Sequence, residues 1–148
     1  MTPVRAAVAA CLASICLASL ASCSRDCTAS VEDGWLRWLP VETPVTAGYV
    51  RIDNPCGMPL TVIGTSSPDF SDVSLHETRV EAGISRMRAV AELRVPAGAS
   101  VQLQSGGLHL MMSGPIRPLT PGRTVRIDFA LSDGRTLSGD VFVRPALP

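Results

Sequence analysis

The chain has 148 residues, room for one domain and little more. Hydrophobic residues make up 46% and charged residues 18%, a balance that excludes a disordered chain; a formal net charge of zero argues against a generic nucleic-acid binder. Two histidines exclude any scheme built on several imidazoles, and twelve Pro with twelve Gly favour many short strands over a helical bundle.

The first segment is read as standing outside the fold. Arg5 is followed by Ala6–Ser22, an uninterrupted run of Ala, Val, Leu, Ile, Ser and Cys. A basic start before an apolar stretch is the layout of an export signal. Leu20-Ala21-Ser22-Cys23 resembles a bacterial lipobox, which implies cleavage before Cys23, a lipid on its sulfur and attachment to a membrane facing the periplasm. Ordinary signal cleavage nearby is the alternative. Removing residues 1–22 takes away one arginine and no acid, leaving 12 basic against 13 acidic residues. Residues 23–33 read as a tether and 34–148 as the folded domain.

Three cysteines remain after cleavage: Cys23, Cys27 and Cys56. If Cys23 carries lipid, an even pair is left in an oxidising compartment, and a Cys27–Cys56 disulfide is expected. The alternative is two free thiols or a soft-metal pair, although the 29-residue spacing matches no metal motif.

From Gly34 onward, short apolar runs alternate with turn signals. The expected strands are Trp35–Leu39, Gly48–Asp53, Leu60–Gly64, Val73–Val80, Ile84–Val90, Glu92–Val95, Ser100–Leu103, Leu108–Met112, Thr124–Leu131 and Thr136–Val143. Val125, Ile127, Phe129 and Leu131 alternate with Arg126, Asp128 and Ala130, which puts one face of that strand inward. Asp133-Gly134 reads as a type I′ hairpin turn. No stretch after Ser22 carries a helical stripe. The pattern is that of a single all-β domain, an antiparallel β-sandwich or Greek-key barrel.

Chemistry is concentrated in three of these strands: the hairpin pair Val73–Val80 and Ile84–Val90, and Leu108–Met112. A turn centred on Glu81-Ala82 would set His76 directly across from Met87, with Cβ atoms about 4.5–5.5 Å apart. His109 and Met111 are two residues apart, so in a strand they share a face, while Leu108, Leu110 and Met112 point the other way, into the core. Each histidine thus gains a methionine. Arg86 and Arg88 flank Met87 and would push it inward. Two imidazoles with two thioethers form a soft donor set that suits Cu(I) over Zn(II), Ca(II) or Mg(II). The set lacks the thiolate of a blue-copper centre and the carboxylate of a hydrolytic one. The run His76-Glu77-Thr78-Arg79-Val80 begins like a zinc-protease motif but has no second histidine at its end. No acid–base pair stands out, and an enzyme is not expected.

His76, ten residues, Met87, twenty-one residues, His109, one residue, Met111 is the spacing of the periplasmic copper chaperones of the PCuAC type, and the chain resembles that family from about Trp35 to Arg144. The resemblance implies a cupredoxin-like β-barrel with an exposed Cu(I) site ligated by His76, Met87, His109 and Met111. Met112 would then be a reserve thioether or a core residue. Trp35 and Trp38 would either shield the site or pack in the core. The resemblance also implies copper delivery to the dinuclear centre of cytochrome c oxidase, with the copper-bearing oxidase subunit or a thiol-bearing assembly factor as acceptor. The lipobox and the Cys27/Cys56 pair depart from the simplest members. Copper sequestration for tolerance, or a metal-free β-sandwich lipoprotein in envelope interactions, are the competing readings.

Overall fold

Alternation of apolar and polar residues builds ten strands in the computed structural model, which describes residues 27–41 and 43–145. They are β1 (Ser30–Trp38), β2 (Val45–Asn54), β3 (Leu60–Ser66), β4 (Phe70–Glu81), β5 (Ile84–Ala89), β6 (Leu93–Val95), β7 (Ala99–Gln102), β8 (Leu108–Pro115), β9 (Thr124–Leu131) and β10 (Thr136–Pro145). There is no helix among the described residues. Each strand expected from the sequence is present, with ends shifted by a few residues. The proposed signal segment 1–22 and Cys23 lie outside the described residues. The stretch read as a tether is partly strand, because β1 already begins at Ser30.

The strands form one sheet in the order β5-β4-β8-β2-β1-β10-β9-β3-β6, with β7 also paired to β2. The sheet curls until β3 meets β4, where the Thr65 hydroxyl donates to the Val73 carbonyl at 2.8 Å. Inward side chains from nearly every strand fill one core, including Leu36, Val50, Ile52, Leu110, Met112, Val125, Ile127, Phe129, Val141 and Val143. One pair departs from the expected antiparallel pattern: β1 runs parallel to β10, with Trp35 beside Phe142.

Turn chemistry corrects two local expectations. At Ser132-Asp133-Gly134 only Gly134 has positive φ, and Leu131 bonds Arg135 across the turn. This is a three-residue loop closed by a left-handed glycine, rather than the type I′ turn expected of Asp-Gly. The type I′ turn occurs instead at Ala82-Gly83, where φ is 51° and 79°. The β4–β5 hairpin is therefore centred one residue later than Glu81-Ala82, and every pairing in it shifts.

Cys27 and Cys56 are joined by a disulfide with Cα atoms 5.4 Å apart. It ties the chain ahead of β1 to the turn that Asn54 organises. The buried Asn54 amide donates to the carbonyls of Met58 at 2.9 Å and Pro96 at 3.0 Å. Closing a loop of about 30 residues restricts the unfolded chain by roughly 3–4 kcal/mol on chain-entropy grounds. Reduction is expected to lower the denaturant midpoint by a corresponding amount, read from melts with and without a thiol reductant. An unchanged midpoint would show that the bridge contributes nothing.

Candidate metal centre

Three adjacent strands, β5, β4 and β8, carry the predicted donors. In the β4–β8 pair His76 lies directly across from His109, Ser74 from Met111 and Asp72 from Ser113. Residues directly opposite in a sheet share a face. The two imidazoles are thus neighbours, with ring centroids 6.1 Å apart and planes inclined by 34°. Metal–imidazole bonds are about 2 Å long, so a single ion placed between such rings can reach a nitrogen of each.

The methionines join on the same face by different routes. Met111 follows His109 by two residues and stands opposite Ser74. Met87 pairs with Thr78, not with His76, whose partner in β5 is Ala89. This corrects the register expected from the sequence. The shift is by two positions, so Met87 keeps the parity of His76 and sits diagonal to it, a separation that a long side chain spans. Met87 is also not pushed inward by its arginines: it is 51% exposed, because the β4–β5 hairpin projects past the core and all six residues of β5 are exposed. Arg86 and Arg88 lie on the opposite face, opposite Arg79 and Glu77.

Parity in β8 holds for the two adjacent methionines. Met112 and Leu110 are fully buried in the core, while Met111 is half-buried on the other face. His109 shares the face of Met111 but is only 7% exposed, so it is covered rather than open to solvent as expected. Leu108 is only half-buried.

Local hydrogen bonds set the imidazoles. His109 Nδ1 lies 2.9 Å from the Gly107 carbonyl, which also accepts the Thr78 backbone N–H at 3.0 Å. A carbonyl only accepts, so Nδ1 carries the proton and Nε2 keeps its lone pair for a metal. His76 Nε2 lies 3.1 Å from the Ser74 hydroxyl. Ser74 and the Gly107 carbonyl were not singled out by the sequence. Ser74 was in principle accessible, since it is two residues from His76 and shares its face; the Gly107 carbonyl was not, because its role depends on the turn geometry.

No carboxylate completes the set. Glu77 points to the opposite face and accepts from Arg79 Nε at 2.8 Å, and this hydrogen bond raises the already high guanidinium pKa. Among the described residues no three His, Cys, Asp or Glu side chains gather in a metal-binding group. What the sheet offers is two nitrogens and two thioethers, the donors that suit Cu(I).

The curled all-β sheet has the architecture of the cupredoxin-like PCuAC domains. The copper-bound PCuAC domain from PmoF2 matches 80% of this chain and 93% of its own, with a TM-score of 0.65 at 19% identity. The Cu(I) form of DR1885 from Deinococcus radiodurans is 30% identical, with a TM-score of 0.60 over 80% of this chain and 77% of that one. The chain belongs to the LpqE-like lipoprotein family, whose model matches residues 29–143. A protein described as lipoprotein Lxx21020, from Leifsonia xyli subsp. xyli (strain CTCB07), is 31% identical over 107 residues. That match covers 72% of this chain and 63% of the relative, so the chain spans less than two thirds of the relative's length.

Proposed function

We propose that this protein is a copper(I) chaperone of the bacterial cell envelope, not an enzyme, and that it holds one Cu(I) through His76, Met87, His109 and Met111. The observation that carries the reading is His76 directly across from His109 with both methionines on the same face. The likeness to the Cu(I) form of DR1885 supports it. Neutral donors hold Cu(I) without the strong affinity of thiolates, so the ion can pass to a thiolate-bearing acceptor. In this reading the acceptor is the copper-bearing subunit of cytochrome c oxidase or a thiol-bearing assembly factor. Cys23 carries the lipid that fixes the protein to a membrane, in keeping with the lipoprotein family.

Cu(I) titration of the domain, with X-ray absorption on the loaded protein, tests the ligand set. One ion per chain with two nitrogen and two sulfur neighbours is expected, and oxygen and nitrogen alone would refute it. Affinity is expected to fall in acid, because protonated imidazole cannot ligate. A flat profile from neutral pH to about pH 5 would remove the histidines from the site. Transfer of bound copper to an oxidase subunit on mixing separates delivery from sequestration.

A further inference from the structure

Two side chains on the outer face of the sheet are buried without belonging to the core. His109 is 7% exposed and Tyr49 is 4% exposed, and neither is part of the main apolar cluster. Tyr49 has the parity of Ala47, which pairs with Met111, and the core-facing residues of β2 are Gly48, Val50 and Ile52. The last ladder pair between β2 and β8 is Gly48 with Leu110. One step further along both strands stand Tyr49 and His109. The ladder ends there because β2 passes to β7, with Leu103 N–H bonding to the Val50 carbonyl. Two outer-face side chains, both removed from water, thus occupy adjoining positions on neighbouring strands.

The row continues away from the metal donors. Tyr49 pairs with Trp35, their ring centroids 4.5 Å apart at 37°. Arg37 Nη2 donates to the Tyr49 hydroxyl at 3.4 Å. Trp35 in turn stands beside Phe142 on β10. Three of the six aromatic residues of the chain therefore lie in one cross-strand row that ends at His109 and His76. Trp38 has the other parity and donates its indole N–H to the Leu119 carbonyl, so it belongs to the opposite face.

We infer that the Trp35–Tyr49 pair is the inner wall of the copper site: it holds the His109 ring in place and keeps water from that side of the ion, favouring Cu(I) over hydrated Cu(II). The inference rests on the copper reading above. Cu(I) accepts few, soft donors, whereas an aqueous, harder donor environment favours the higher charge. A side chain that orients a ligating imidazole commonly changes metal affinity by about 10–100-fold. Tyr49 and Trp35 act here as positioning residues. The phenol ring carries the effect, and its hydroxyl, occupied by Arg37, does not.

Cu(I) competition and the Cu(II)/Cu(I) potential of the full domain test this with Tyr49→Ala and Tyr49→Phe. Tyr49→Ala is expected to lower Cu(I) affinity by about tenfold or more and to move the potential towards Cu(II). Tyr49→Phe is expected to behave as the wild type in both. A folded Tyr49→Ala with wild-type affinity and potential would overturn the wall. Tryptophan emission gives a reading that does not depend on that variant folding. Strands lie about 4.8 Å apart, so Trp35 is roughly 10 Å from His109. Cu(I) is expected to quench emission in the wild type and in Trp38→Phe, and to lose most of the quench in Trp35→Phe. A quench carried by Trp38 alone would overturn the placement. A wild-type protein that binds no Cu(I) would refute the copper reading itself, a result distinct from either outcome for the wall.

Discussion

His109→Ala is expected to lower Cu(I) affinity by at least about a hundredfold, since even residues that only orient a metal ligand cost about 10–100-fold. The chain has no third imidazole to take its place. The effect should exceed that of His76→Ala. His109 is held by the Gly107 carbonyl and buried, so its ring orientation is fixed before any ion binds. His76 is more open, and its Nε2 must exchange the Ser74 hydroxyl for the ion or ligate through Nδ1. Competition against a Cu(I) chelator reads both variants. The Gly107 carbonyl keeps its bond from Thr78 N–H in His109→Ala, so no buried acceptor is orphaned and the fold should survive. Near wild-type affinity in a folded His109→Ala would remove this residue from the ligand set.

The second large effect separates two adjacent methionines. Met112 is fully buried, and its sulfur packs so closely on Gly48 that a Cβ there would lie 2.9 Å from it. Met112→Ala is expected to destabilise the domain by about 2–5 kcal/mol through the cavity it leaves. Met111→Leu keeps volume and apolar character, so stability should change by less than about 1.5 kcal/mol. Copper affinity should behave in the opposite way, falling clearly for Met111→Leu and staying near wild type for Met112→Leu. Denaturant melts and chelator competition on the three variants decide the matter. Equal copper loss in Met111→Leu and Met112→Leu would make Met112 a ligand and contradict its burial in the core.

The β4–β5 hairpin shows where reading by pattern stops. A strand with one buried face has its register dictated by that face, because a slip exposes the apolar set. β5 has no buried residue, so nothing in its pattern distinguishes a turn at Glu81-Ala82 from one at Ala82-Gly83. The structure settles it through two consecutive positive φ angles, although a left-handed alanine costs about 1–2 kcal/mol. The outcome moves Met87 from His76 to Thr78 while preserving its face. β9 is the contrasting case: Val125, Ile127, Phe129 and Leu131 are all buried, and the strand occupies the expected residues.

Strand number, the all-β class, the core parity of β8 and the spacing of the four donors were determined by the sequence alone. Each depends on local alternation or on residue counting, both of which are properties of the linear chain. The pairing of β4 with β8 was decided only by the tertiary structure. These strands are separated by three others in the chain, and it is their antiparallel register that sets His76 across from His109. The same holds for the burial of His109 and for the aromatic row through Tyr49 and Trp35, which needs β10, β1, β2, β8 and β4 side by side. No spacing along the chain encodes such neighbours, because hydrogen bonding between distant strands depends on how the whole sheet curls to enclose its core.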